Sequence, residues 1–247
     1  MTIVVTGGTK GIGLAIARRL AKPGEPMVLA YLSDTAAAEA ASLSLANTGA
    51  IISTVQADVG QIEGAQRVMD AAAAAGGQIH LIHSAAMIYP TSLLQADPVR
   101  FTQAIHTNGL SLFYLVQKAL PLLDRGSSIV FISSAGARTA QANYAALGAG
   151  KSLAESLVRY FVAELAPRGV RINAVAPGLV ATTSVAGMVG GEEAAAKVFE
   201  RAARTNPSGR MSSDDDYAAV VEFLISPAAQ FVQGQVIHAN GGAYVPY

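Results

Sequence analysis

One loop in this chain is built to hold an anion. Thr6-Gly7-Gly8-Thr9-Lys10-Gly11-Ile12-Gly13 stands between an apolar run at 3–5 and a helix-like stretch at 11–21. Glycines let a backbone approach a pyrophosphate closely, and the start of a helix offers free N–H groups at the positive end of its dipole. A glycine-rich loop alone is a weak signal; one flanked by strand and helix points to dinucleotide binding. Gly7, Thr9, Lys10, Gly11, Ile12 and Gly13 are therefore the candidate phosphate cradle. In such units an acid about 20 residues further on holds the ribose 2′-hydroxyl. Here Tyr31 stands in that place, and Asp34 falls late enough to begin the next helix. With no acid to repel a 2′-phosphate, and with Lys10 and Ser33 able to contact one, the reading favours NADP(H) over NAD(H).

Other chemistries are excluded or weak. The absence of Cys removes disulfides, thiolate metal sites and thiol nucleophiles. His80, His83, His106 and His238 show no metal-ligand spacing, so no metal is expected. Lys+Arg and Asp+Glu balance at 17 each, which argues against a nucleic-acid binder. At 51% hydrophobic and 14% charged residues, the chain reads as a folded globular protein. The first residues enter a strand with no basic start and no long apolar run, so no signal peptide is expected. The longest uncharged stretch, 172–191, is broken by Asn173, Pro177, Gly178 and Thr182 and does not read as membrane-spanning. The expectation is a cytoplasmic protein.

The loop needs elements to position it. Strands are predicted at 3–5, 26–31, 51–57, 79–83, 128–132, 171–176 and 235–238. Helices are predicted at 11–21, 35–45 and 62–75, with two long ones near 98–123 and 142–166. Strands alternating with helices of ten or more residues imply βαβ units and a parallel sheet covered on both faces. No linker or composition break appears, so residues 1–247 are read as one domain.

The spacing of the glycine loop resembles the short-chain dehydrogenase/reductase family, over nearly the whole chain. The resemblance implies a doubly wound, seven-stranded α/β fold of the Rossmann type. It also implies roles. Asp58 and Val59 would contact adenine, and Ser84 and Ala85 would line the cofactor after the fourth strand. Ser134 and Asn108 would be catalytic. Asn173 to Gly178 resembles the family's sixth strand and turn, so Pro177, Gly178 and Thr182 would sit at the nicotinamide. Asn240-Gly241-Gly242 resembles the closing motif.

The departure is at the catalytic pair. The family's ordinary motif is Tyr followed four positions later by Lys. Here Leu147 stands four before Lys151, and the tyrosine is Tyr144, seven before it. The spans from Ser134 to Lys151 and from Lys151 to Pro177 match the family without a gap, so the tyrosine has moved by one helical turn. Seven residues rotate a helix by about 700°, so both side chains share a face roughly 10 Å apart along the axis. This Tyr-x6-Lys spacing resembles the NADPH-dependent enoyl-acyl-carrier-protein reductase branch. His83-Ser84-Ala85-Ala86 and Thr205-Asn206-Pro207-Ser208-Gly209-Arg210-Met211 agree with that branch, as does Ser134. Asn108 is more usual in ketone reductases.

The resemblance implies hydride transfer to the β-carbon of an enoyl thioester. Tyr144 would serve the developing oxyanion. Lys151 would bind ribose hydroxyls and lower the Tyr144 pKa. Two other readings stand beside this one: a carbonyl reductase or alcohol dehydrogenase, and a non-catalytic NADP(H)-binding protein motivated by Leu147. A substrate lid is expected at about 182–211, with Met87, Ile88 and Tyr89 opposite. Lys197, Arg201 and Arg204 share one helix face, which is either a solvated stripe or a dock for an acidic carrier. The implied partners are a small-molecule or carrier-bound acyl substrate and identical subunits, as a tetramer or dimer. The apolar tail 243–247 would suit a subunit contact or dock on its own surface.

Overall fold

The structure is a computed structural model and describes residues 1–245; Pro246 and Tyr247 of the apolar tail lie outside the described residues. The strands are β1 (Thr2–Thr6), β2 (Pro26–Tyr31), β3 (Ile51–Gln56), β4 (Ile79–His83), β5 (Ser128–Ile132), β6 (Arg171–Pro177) and β7 (Val236–Ala239). They form one sheet in the order β3-β2-β1-β4-β5-β6-β7, every pair parallel. This is the expected doubly wound fold. The order reverses between β1 and β4, so a crevice opens beyond the C-terminal ends of those two strands.

Period-2 alternation divides the core between the two faces. Ile3 and Val5 point to one side with Ile16, Leu20 and Val221, so α1 (Gly11–Leu20) and α9 (Asp214–Ile225) cover that face. Val4 and Leu81 point to the other, against α3 (Ile62–Ala75), α5 (Ser111–Ala119) and α6 (Ala145–Leu165). The remaining helices are α2 (Thr35–Ala46), α4 (Pro98–Ile105), α7 (Thr183–Val189) and α8 (Glu192–Thr205). The last two occupy the segment expected to form the lid. No helix of the described residues is long and apolar enough to cross a membrane.

Two boundaries differ from expectation, each for a local reason. The helix expected over 98–123 is three pieces: α4, a π-helical turn at His106–Leu110, and α5, ending at Ala119. Such turns occur frequently at functional sites. The helix expected from residue 142 begins at Ala145 instead. Asn143 is held at φ 59°, a left-handed conformation that asparagine tolerates and a helix does not. Tyr144 is therefore the residue that caps α6, its carbonyl accepting from Leu147 N at 3.1 Å and Gly148 N at 2.8 Å.

Candidate active site

The crevice holds a cavity of about 720 Å³, within the range of small-molecule sites. Gly7, Tyr31, Asp58, Val59 and Ala85 from the sequence reading line it. They come from the ends of four different strands, which is how a parallel sheet gathers distant residues. Gly7 has φ 64°, and a Cβ there would lie 2.9 Å from Ala85 Cα. A Cβ on Gly13 would lie 2.2 Å from Gly7 O. The loop thus packs at a distance only glycine allows. No side chain caps the N-terminus of α1 and no acid occupies its first turn, so an anion would meet no carboxylate there. Asp58 holds its own turn by accepting from Gly60 N at 2.9 Å.

Thr9 is buried and Ile12 half-buried in the loop, while Lys10 and Ser33 are exposed. Lys10 is ion-paired to Asp34. Asp34 also caps α2, accepting from Ala37 N at 3.0 Å, so the sequence reading of it as a helix start is correct. The Lys10 ammonium and that backbone bond hold the Asp34 carboxyl below the usual carboxylate range. Lys10 is therefore not a free cation waiting at the cleft, a feature that spacing alone did not reveal. Ser84 N is held by Thr6 O at 3.1 Å. Pro177 and Gly178 end β6, with Gly178 N donating to Ala239 O at 2.9 Å. Thr182 lies beside the glycine loop, near enough that a Cβ on Gly11 would touch its methyl at 3.5 Å.

The second group of residues lies at the ends of β5 and α6 and does not line the cavity. The Tyr144 hydroxyl is 3.0 Å from Ser134 Oγ. Ser134 Oγ also accepts from Gly136 N at 3.1 Å, so it both shapes its turn and faces the tyrosine. Leu147, in the position the family's motif gives to tyrosine, is buried. Lys151 is buried, donating to Ile132 O at 2.7 Å and lying 4.5 Å from the Phe131 ring centre. Burial pulls its pKa down to about 7.

Burial also pushes the Tyr144 hydroxyl above its ordinary value, and only the Ser134 hydrogen bond opposes this. That corrects the expectation that Lys151 lowers the Tyr144 pKa. The ammonium is engaged by a carbonyl instead, and burial favours the protonated tyrosine hydroxyl.

Asn108 sits within the π-helical turn, wholly buried. Its Oδ1 accepts from Met87 N and its Nδ2 donates to Met87 O, both at 2.9 Å. It grips the backbone of the loop after β4 rather than pointing at an open site.

Sequence reasoning missed several members. Thr107 and His106 line the cavity, although His106 showed no functional spacing. A Cβ on Gly136 would strike the Tyr144 ring at 2.3 Å, and one on Gly148 would reach Gly136 O at 2.5 Å. These two glycines form the slot in which the displaced tyrosine lies. The signal available was a glycine two residues after Ser134 and another four after Tyr144. Glu155, one turn beyond Lys151, is buried against Ser133 Oγ at 2.6 Å and Arg138 Nε at 2.8 Å. No cluster of potential metal ligands exists among the described residues.

A family model described as enoyl-(acyl carrier protein) reductase matches residues 7–244. An uncharacterised oxidoreductase of Methylorubrum extorquens is 35% identical over 242 residues, 97% of this chain and 96% of that protein. A 3-oxoacyl-[acyl-carrier-protein] reductase of Staphylococcus aureus is 31% identical, covering 98% of this chain and 97% of its own. A 1-cyclohexenylcarbonyl-CoA reductase of Streptomyces collinus is 30% identical, covering 97% and 85% respectively. Among solved structures, a dehydrogenase/reductase from Sinorhizobium meliloti superposes with a TM-score of 0.87 at 28% identity, over 99% of this chain and 95% of that one.

Proposed function

The chain belongs to the short-chain dehydrogenase/reductase family and is an oxidoreductase of that type; within the family, we propose that it is an NADPH-dependent reductase of the C=C bond of an enoyl thioester. The observation that carries this reading is the place of the tyrosine. Tyr144 reaches Ser134 from the capping position of α6, while Leu147 fills the ordinary site. A hydroxyl entering from one turn further out suits an oxygen set back from the atom that receives hydride, as the thioester oxygen is from the β-carbon.

The residues present fit a nicotinamide dinucleotide. The glycine loop and uncapped α1 would hold the pyrophosphate, and Asp58, Val59 and Tyr31 would bound the adenosine. Ser84, Ala85, Pro177, Gly178 and Thr182 would bound the nicotinamide side. When bound, the reduced cofactor supplies hydride to the β-carbon. The protein's part is electrostatic and positional. Tyr144, kept protonated by burial, donates a hydrogen bond or proton to the oxygen on which negative charge develops. Ser134 holds the Tyr144 hydroxyl and can donate to the same oxygen. Lys151 would bind the ribose hydroxyls of the nicotinamide side. Asn108 fixes the Met87 backbone, and with it one wall of the cavity. The preference for NADPH rests on Tyr31, on Lys10 and on the lack of an acid at the end of β2. Lys10–Asp34 is an exposed pair screened by water, so Lys10 can exchange Asp34 for a 2′-phosphate at small cost. We further assign the segment 182–211 as the lid and a homotetramer or dimer as the assembly.

The Staphylococcus aureus relative and Asn108 favour a second reading, reduction of a ketone. The test of the pair is loss of NADPH absorbance with a medium-chain trans-2-enoyl thioester, for wild type and Tyr144→Phe. Turnover that falls about 10²- to 10⁴-fold in the variant is expected. Equal activity in the variant would sink the proposal.

A further inference from the structure

His83 ends β4 and is wholly buried, yet the mechanism above does not use it. Its two ring nitrogens have different partners. Nδ1 lies 2.6 Å from Thr6 Oγ1, and Nε2 lies 2.6 Å from Ser111 Oγ. The directions of these bonds follow from counting protons. Ser111 Oγ is 2.6 Å from Thr107 O, and a carbonyl only accepts, so the single serine proton is spent there. Ser111 must then accept from His83, which places a hydrogen on Nε2. The same conclusion comes from the other side. Ala85 N donates to Thr6 Oγ1 at 3.3 Å, leaving the threonine proton free for Nδ1 as acceptor. The result is one consistent chain, Ala85 N–H to Thr6 to His83 to Ser111 to Thr107 O. Every donor on it has one acceptor.

The two ends of that chain are walls of the cleft. Ala85 and Thr107 both line the cavity. Asn108, next to Thr107, clamps Met87 on the same loop. The loop after β4 is therefore tied to the π-helical turn twice, once by Asn108 and once through His83. We infer that His83 is a positioning residue, a neutral imidazole protonated on Nε2 alone, which holds the 84–87 loop and the π-helical turn at the spacing the cofactor cleft requires. Burial, with the Lys151 charge in support, pushes the His83 pKa down to about 3, which agrees with the neutral ring. A doubly protonated ring would leave Thr6 Oγ1 facing a second donor.

The inference rests on the proposed function only for the identity of what fills the cleft; its test needs no ligand. Nitrogen-15 NMR of the four histidines, with His83 assigned through His83→Asn, reads the tautomer directly. A ring protonated at Nε2, bare at Nδ1 and unchanged from about pH 8 to pH 5 is expected. The opposite tautomer, or titration in that range, would overturn the inference. Hydrogen exchange then reads positioning. In Ser111→Ala and His83→Leu, the Ala85 and Met87 amides are expected to exchange at least about tenfold faster, as loss of one hydrogen bond implies. Amides of β1 and β5 are expected to keep their protection. Unchanged exchange at Ala85 and Met87, or loss of protection throughout the sheet, would show a merely structural histidine. If wild type binds cofactor, its KM for cofactor rises about tenfold in Ser111→Ala with kcat less affected. A wild type that binds neither NADPH nor NADH would refute the proposed function while the exchange result for His83 still stands or falls by itself.

Discussion

Gly136→Ala introduces one methyl into the tyrosine slot. Gly136 has no positive φ, so alanine can adopt its backbone without strain, and the effect is steric. The new Cβ would lie 2.3 Å from Tyr144 Cε1 and 2.6 Å from Cδ1, where ordinary contact begins at 3.4 Å. The ring must therefore retreat by about 1 Å. It cannot do so and keep the 3.0 Å contact of its hydroxyl with Ser134 Oγ. A displacement of about 1 Å at a catalytic group costs about 100-fold in rate, or about 2.7 kcal/mol in barrier. Overpacking of this kind destabilises by about 1–3 kcal/mol, and each kcal/mol lowers Tm by roughly 2–4 °C in a protein of this size. The variant is thus expected to fold, to bind NADPH as wild type does, and to lose about 100-fold in kcat. The assay is steady-state NADPH consumption on an enoyl thioester, with Tm and cofactor titration on the same samples. A folded Gly136→Ala protein with wild-type kcat would refute the placement of the tyrosine in this slot.

Three further outcomes follow from the same geometry. Stability should fall with acid. Burial holds His83 and His80 neutral, with pKa values of about 3 and about 4, whereas in the unfolded chain each takes up a proton near 6.5. Their contribution is complete above pH 6.5 and is lost as pH falls toward 4, at up to about 2.7 kcal/mol per pH unit for the two together. Chemical denaturation from pH 7 to 4.5 checks this, and a flat profile would contradict it. Lys151, with its pKa pulled down to about 7, should lose its charge as pH rises through that value in the cofactor-free protein. kcat/KM for NADPH is then expected to decline above about pH 7, by up to tenfold per unit, and a profile level to pH 9 would count against a cationic role for Lys151. Lys10→Ala is expected to raise KM for NADPH about tenfold and to leave KM for NADH nearly unchanged, since only the former carries a 2′-phosphate. Equal effects on the two would place the phosphate elsewhere.

The sheet and its helices were legible because their signals are local and repeated. Short apolar runs separated by helical stretches describe a covered parallel sheet, and all seven strands fall within one residue at each end of the expected spans. The residues bounding the cleft were legible because strand ends converge by topology, so Tyr31, Asp58 and Ala85 meet Gly7 without any contact between them in sequence. The π-helical turn was not, since one extra residue in a turn leaves no mark on an apolar period read over 98–123. Nor was the grip of Asn108, whose partners are backbone atoms of Met87 and carry no side-chain signature. Lys10 was read as able to contact a 2′-phosphate, and its pairing went unseen because Asp34 had been explained as a helix start; Asp34 is both. The protonation of the tyrosine was misjudged because charge was weighed without burial. The motif names Lys151 as a neighbour, but the fold turns its ammonium toward Ile132 O.

The most direct measurement sets a trans-2-enoyl thioester beside a β-ketoacyl thioester of the same chain length and carrier, with NADPH consumption followed for each. The displaced Tyr144 predicts turnover of the enoyl substrate and a kcat/KM for it well above that for the ketone. Faster reduction of the ketone would contradict that claim and assign the displaced tyrosine to carbonyl chemistry.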